Sequence, residues 1–178
     1  MEKDILRILL TEEKIQKKVC ELGKQISQEY KDKNPIMICI LKGAVFFLTD
    51  LLKNISEPLE IDFFSLSSYG TSTKSSGVVK IRKDIDTDIL NRHVIIVEDI
   101  VDSGLTLKYI YDYLEKHNPA SVKICVLLDK PQAHKIDIKI DFLGFEVGNE
   151  FVVGYGLDYS EKYRNLSYIG ILKEEIYS

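Results

Sequence analysis

Apolar residues along the chain switch repeatedly between two spacings. After Thr11 and two acids, a combination that suits a helix start, Ile15, Val19, Leu22 and Ile26 recur three or four positions apart and predict an amphipathic helix within 11–34. "PIMICIL" (35–41) is an unbroken apolar run, as expected of a strand covered on both faces. "KGAVFFLTDLLKN" (42–54) returns to helical spacing, while "LEIDFFSL" (59–66) and "GVVKIRK" (77–83) predict strands on either side of the polar "SSYGTSTKSSG" (67–77). "HVIIVED" (93–99) predicts another buried strand. The helix of 103–119 has Leu107, Ile110, Tyr111 and Leu114 on one face and stops before Pro119, and "SVKICVLLDK" (121–130) is again a strand. This alternation predicts an α/β fold: a central, mostly parallel sheet flanked by helices. Beyond 130 the texture changes to short β-like pieces, "IDFLGFEV" (140–147), "FVVGYGLD" (151–158) and "SYIGIL" (167–172). They predict a small β-rich hood over one end of the sheet, so the expectation is one domain over 1–178, with its core at about 10–129 and its hood mainly at 130–178.

Composition narrows the classes. The 178 residues are 45% hydrophobic, enough for a sizeable core, and carry a net charge of −4. That balance argues against a general binder of nucleic acid or of anionic membranes. Cys20, Cys39 and Cys125 are far apart and flanked by aliphatics, which reads as buried thiols in a reducing cytoplasm. Charges break the apolar patch of "MEKDILRILLTEEK", so no signal peptide is expected, and no apolar run approaches a membrane span.

The chemistry concentrates in "VIIVEDIVDSGLT" (94–106). In open α/β sheets ligands bind beyond the carboxyl ends of the strands, where Glu98 and Asp99 fall. In a continuing strand the two would point to opposite faces, so their convergence on one ligand predicts that the strand has ended by Asp99. "DSGLT" (102–106) then opens a helix, whose free N–H groups and dipole make an anion site. Ser103 and Thr106 add hydroxyls, and Gly104 permits close approach of backbone. The pattern is not a Walker A loop. An Asp-Ser-Gly turn can equally be a simple helix cap, but packing gives no reason for two acids at a strand end. A phosphate held by amides and hydroxyls, with acids beside it for sugar hydroxyls or a phosphate-bound Mg²⁺, reads as a site for a phosphorylated sugar.

"VIIVEDIVDSGLTL" (94–107) resembles the phosphoribosyl-diphosphate signature of the type I phosphoribosyltransferases. "LKGA" (41–44), "SSYG" (67–70), "LLDKP" (127–131), "DFLGFEV" (141–147) and "FVVGYGLDYSEKYRNL" (151–166) narrow the resemblance to the short bacterial hypoxanthine-guanine phosphoribosyltransferases, over roughly 10–172. It implies the type I fold and a purine-salvage reaction. Purine N9 of hypoxanthine or guanine would displace pyrophosphate from phosphoribosyl diphosphate, giving IMP or GMP, with Mg²⁺ as cofactor.

By the same resemblance Glu98 and Asp99 bind the ribose hydroxyls and metal, and Asp102, Ser103, Gly104, Leu105 and Thr106 cradle the 5′-phosphate. Asp102 is the candidate general base toward purine N7, against the alternative of a helix cap. Lys42-Gly43 matches the pyrophosphate loop, which often carries a non-proline cis peptide; Ala44 stands where many members have a second glycine. Ser68 and Tyr69 belong to the matching mobile lid. Lys130, which only donates hydrogen bonds, suits a 6-oxo purine and opposes the 6-amino group of adenine. Phe151 would stack on the base, and carbonyls of Val152 and Asp158 would face its C2. Asp158 would also hold a second Mg²⁺ through water, and Arg164 would contact pyrophosphate. Taken singly, Phe151 is an ordinary core residue, Lys42 and Lys130 are surface lysines, and Asp158 with Arg164 is a surface ion pair. His93, His117 and His134 are scattered and receive no role. The resemblance further implies small-molecule partners, a homodimer or homotetramer, and a cytoplasmic location. A nucleic-acid-binding regulator on the same fold would need a basic surface or an added domain, and Lys130 with 151–164 speaks against an adenine or pyrimidine enzyme.

Overall fold

The unbroken apolar runs become the inner strands of a six-stranded sheet. A computed structural model of the chain describes residues 1–68 and 79–178, without the side chains of 67, 68 and 79. Its large sheet has the order β4-β3-β2-β5-β6-β7. These strands are β2 (Ile36–Ile40), β3 (Glu60–Ser68), β4 (Val79–Lys83), β5 (His93–Val101), β6 (Ser121–Asp129) and β7 (Phe142–Glu146). All neighbours run parallel except β3 with β4. Every residue of β2 is buried, which is why that stretch shows no alternation in sequence.

Alternation is present in three dimensions. Met37, Cys39, Ile95, Val97, Cys125 and Leu127 face one apolar layer, built with α1 (Glu12–Glu29) and α2 (Val45–Leu52). Ile36, Ile38, Ile40, Val94, Ile96 and Val126 face the other, built with α3 (Leu105–Glu115). Helix α1 starts where expected, with the Thr11 hydroxyl accepting from Lys14 N, and buries Ile15, Val19, Leu22 and Ile26. On α3, Leu107, Ile110 and Leu114 are buried while Tyr111 packs at the margin. Cys39 and Cys125 are buried free thiols as expected, whereas Cys20 is half-buried.

A second sheet of three strands, ordered β1-β9-β8, lies in the hood. It consists of β1 (Ile5–Leu10), β8 (Val152–Val153) and β9 (Ile169–Leu172), all antiparallel. Two pieces fall differently from the sequence expectation. The stretch 142–146 is the outer strand of the large sheet, because its Phe142 is buried with the α1 layer. Strand β1, from the N-terminal patch, supplies the hood's other edge. Leu6 and Ile8 are exposed there while Leu9 and Leu10 pack inward, so the pattern shows no strand period. Among the described residues, no helix is long and apolar enough to cross a membrane.

The loop after β4 is fixed by one buried acid. Asp62 is 5% exposed and accepts from the N–H groups of Phe63 (2.6 Å), Asp86 (2.7 Å) and Thr87 (2.8 Å), with Lys83 Nζ at 3.3 Å. Burial pushes its carboxyl upward, but the backbone donors, led by Thr87, outweigh that and hold it below the ordinary aspartate value. This stabilisation is complete above the unfolded aspartate pKa of about 3.9 and is lost as pH falls through the lower folded value. Asp62→Ala, which strands those donors, is expected to cost on the order of 3 kcal/mol in urea unfolding at pH 7, and less in acid.

Candidate functional site

Strand β5 carries the site. It does not end by Asp99 as the convergence of the two acids required; parallel pairing with β6 continues to Val101 opposite Asp129. The two carboxyl groups meet all the same, because Glu98 folds toward the backbone of the next residue. Its Oε1 accepts from Asp99 N (3.3 Å), while Asp99 Oδ1 accepts from Ile100 N (2.8 Å). The two side chains are close enough for each to shift the other's charge. Burial, and then the charge of Asp99, push the Glu98 carboxyl well above the usual carboxylate range. Burial raises Asp99 as well, partly offset by the bond to Glu98, the Ile100 N–H and the charge of Arg164. Two half-buried acids competing for charge in the cavity walls are poised for a cation or for hydroxyl donors.

Asp99 lies directly over the Lys42-Gly43 loop. A Cβ built on Gly43 would stand 1.6 Å from Asp99 Oδ2, so only glycine allows this contact. Among the described residues the one cis peptide is the Leu41–Lys42 bond, one bond ahead of Lys42-Gly43. Ala44, at the cap of α2, has ordinary right-handed helical backbone with φ −68°, a conformation that asks for no glycine.

The turn 102–106 follows β5 and runs into α3. Gly104 adopts φ +77° there, in the left-handed region. Ser103 Oγ accepts from Leu105 N at 3.4 Å, and the first turn of α3 has N–H groups without intrahelical partners. A cavity of about 340 Å³ opens at this turn, walled by Glu98, Asp102, Ser103, Gly104 and Thr106 among others. A second cavity, of about 210 Å³, is walled by Asp99, Lys130, Phe151, Val152, Leu157 and Asp158. Ile100 and Asp102 belong to both walls. Lys130 Nζ lies 3.1 Å from Asp102 Oδ1, and its side chain is only 12% exposed. Main-chain bonds join the two sides, from Lys130 N to Val101 O (3.0 Å) and from Lys135 N to Ser103 O (3.1 Å).

A third group adjoins. Arg164 donates through Nη1 to Gly156 O (2.7 Å) and pairs through Nη2 with Asp158 (2.9 Å) and Glu161 (3.3 Å). Lys42 Nζ reaches the other oxygen of Glu161 at 3.0 Å. Glu161 therefore bridges the two cations expected at pyrophosphate, and both hold its carboxyl below the usual range, Lys42 most strongly. The alternative reading of Asp158 and Arg164 as an ion pair is also met, at one edge of the cavities.

The structure thus brings together Lys42, Gly43, Glu98, Asp99, the turn 102–106, Lys130, Phe151, Val152, Asp158 and Arg164. Tyr69 and the side chain of Ser68 lie outside the described residues. Sequence reasoning missed Ile100 and Leu157 as cavity walls and Glu161 as the bridge. Their apolar or charged character carries no local signal; only their places between motif residues could have marked them.

Comparison with known proteins points one way. Residues 7–160 match the family model of the phosphoribosyl transferase domain. The hypoxanthine-guanine phosphoribosyltransferase of Bacillus subtilis (strain 168) is 55% identical over 177 residues, covering 99% of this chain and 98% of that protein. The enzyme of that name from Streptococcus thermophilus (strain CNRZ 1066) is 52% identical, covering 100% and 99%. A crystal structure of a hypoxanthine phosphoribosyltransferase from Staphylococcus aureus superposes with a TM-score of 0.96 at 48% identity, covering 100% of this chain and 97% of that one.

The contact between Gly43 and Asp99 can be tested without any ligand. Gly43→Ala is expected to swing the Asp99 carboxylate away from Glu98 in a crystal structure of the variant, and to cost about 1–3 kcal/mol in urea unfolding.

Proposed function

We infer the chemistry of this chain from its membership of the hypoxanthine-guanine phosphoribosyltransferases, a family to which it belongs along its whole length. It is a purine-salvage transferase that moves the 5-phosphoribosyl group of phosphoribosyl diphosphate to N9 of hypoxanthine or guanine, releasing pyrophosphate and giving IMP or GMP. The observation that best supports the assignment of its parts is the position of Asp102, in the wall of both cavities and 3.1 Å from Lys130 Nζ.

A phosphorylated ribose fits the larger cavity, with its phosphate on the turn 102–106 and its hydroxyls toward Glu98 and Asp99. The base fits the smaller one, against Phe151, with carbonyls of Val152 and Asp158 toward C2. A 6-oxo purine presents two neighbouring groups on one edge, an acceptor at O6 and an N–H at N7. Inserted between Lys130 and Asp102, it gives each of them a partner: O6 accepts from the ammonium and N7–H donates to the carboxylate. Adenine would set a 6-amino donor against a lysine that has only donors. Asp102 then takes the N7 proton as N9 attacks C1′ of the ribose. Departure of pyrophosphate leaves the sugar oxocarbenium-like, and the negative charge of Glu98 and Asp99 stabilises it.

Lys42, Gly43 and Arg164 receive the pyrophosphate, and Ser68 and Tyr69 act in a lid that excludes water from the sugar cation. A divalent metal, read here as Mg²⁺, suits the donors present. Mg²⁺ takes one or two carboxylates with phosphate oxygens and water. Glu98, Asp99 and Asp158 offer such carboxylates, while the described residues contain no group of three metal-ligating side chains that would cage an ion by themselves. Bound there, the metal would neutralise the phosphate charge. The partners are these small molecules and further copies of the chain, as a dimer or tetramer, and the setting is the cytoplasm.

A substrate panel tests the assignment, with phosphoribosyl diphosphate, Mg²⁺ and one of hypoxanthine, guanine, xanthine or adenine. Nucleotide is expected from hypoxanthine and guanine and not from adenine, and chelation of the metal should stop turnover. Adenine turnover would overturn the pocket reading. Asp102→Asn is expected to lower kcat about 10²-fold or more in a steady-state assay. Lys130→Gln, which can accept as well as donate, should narrow the hypoxanthine-to-adenine ratio of kcat/KM.

A further inference from the structure

Phe151 is held between two tyrosines. The ring of Tyr177 lies parallel to it, with centroids 4.9 Å apart and 24° between planes. Tyr159 meets it edge-on, at 5.6 Å and 89°. Phe151 is in the wall of the smaller cavity and Tyr177 is not, so the stacked pair is made outside that wall.

The backbone explains how Tyr177 reaches that position. Leu172 N, at the end of β9, donates to Phe151 O at 2.8 Å, which ties β9 to the segment carrying Phe151. Lys173 N then donates to Asp4 O at 3.0 Å, fixing the chain as it enters the short helix α4 (Glu174–Tyr177). Ile176 and Tyr177 fold back onto the hood's apolar cluster of Val153, Tyr163, Leu166 and Leu172. Neither sequence motif nor family model accounts for this contact, since the matched family segment stops at residue 160.

We propose that Tyr177 is a positioning residue for base binding: it stacks on the rear face of Phe151 and holds that ring flat against the purine on the other face. The proposal rests on the reading of Phe151 as the platform for the base. Its physical basis is preorganisation. A phenylalanine at a cavity edge with one face free must give up rotamer freedom when a base lands on it, and that ordering weakens binding. A ring already stacked from behind has lost that freedom during folding, and offset stacking is a favourable geometry for aromatic pairs.

The expected consequences separate Tyr177 from the rest of the site. Tyr177→Ala should raise KM for hypoxanthine and for guanine about three- to ten-fold. KM for phosphoribosyl diphosphate should stay where it is, because none of that ligand's assigned contacts touches Tyr177. Tyr177→Phe keeps the ring and should restore the wild-type KM for both bases. If Tyr177 acts through Phe151, its removal should add nothing in a Phe151→Leu background. The four proteins, wild type, Tyr177→Ala, Phe151→Leu and the double variant, are compared by steady-state kinetics for each substrate and by thermal melting.

A rise in base KM that vanishes in the Phe151→Leu background supports the proposal. Three outcomes overturn it: an unchanged base KM in Tyr177→Ala, an equal increment in both backgrounds, or a parallel rise in both KM values accompanied by a fall in Tm. If Phe151→Leu alone leaves base KM untouched, the platform reading fails instead, which is a distinct result.

Discussion

Two half-buried carboxyl groups crowded side by side near the end of a parallel strand oppose folding, and much of the structure can be read as what holds them there. Burial of ionisable acids is tolerated only where the surrounding framework exceeds its cost. Here the framework is the six-stranded sheet, whose central strands are buried on both faces. β5 stays hydrogen-bonded to β6 through Val101, past both acids, so the backbone carrying them is fixed. Gly43 adds the second restraint by leaving room for Asp99 over the 41–44 loop. The result is an unfavourable pair that a ligand offering hydroxyls, a metal or a developing positive charge can relieve.

The other charges of the site are not left waiting in the same way. Lys130 is matched by Asp102, and Lys42 and Arg164 are matched by Glu161. These pairs reach solvent through Asp102 and Glu161, whose side chains are 60% and 65% exposed, so exchanging a protein partner for a ligand partner costs little. Like charge is thus concentrated at Glu98 and Asp99, while the charges around Lys130 and around Lys42 and Arg164 are matched locally.

Much of this was legible in the sequence, for identifiable reasons. Apolar spacing revealed the two central helices and the inner strands because both layers of the core require it. The turn 102–106 was legible as a helix start because a glycine and hydroxyls stand consecutively there. What escaped was set by contacts between distant segments. β1 shows no strand period because only part of it packs inward, and the role of 142–146 depends on which sheet edge is open to it. The strand's continuation past Asp99 was hidden because a turn follows so closely at 102. Glu161 and Tyr177 look like any surface glutamate or half-buried tyrosine until the hood folds them onto Lys42 and Phe151.

The main-chain bonds from Lys130 to Val101 and from Lys135 to Ser103 have a geometric consequence. They join the segment bearing Lys130 to the turn 102–106, through peptide groups and without any side chain that could change rotamer. The two ends of the site therefore behave like the jaws of a gauge locked at one opening. Substitutions that alter side chains at either jaw leave the main-chain spacing between them as it was.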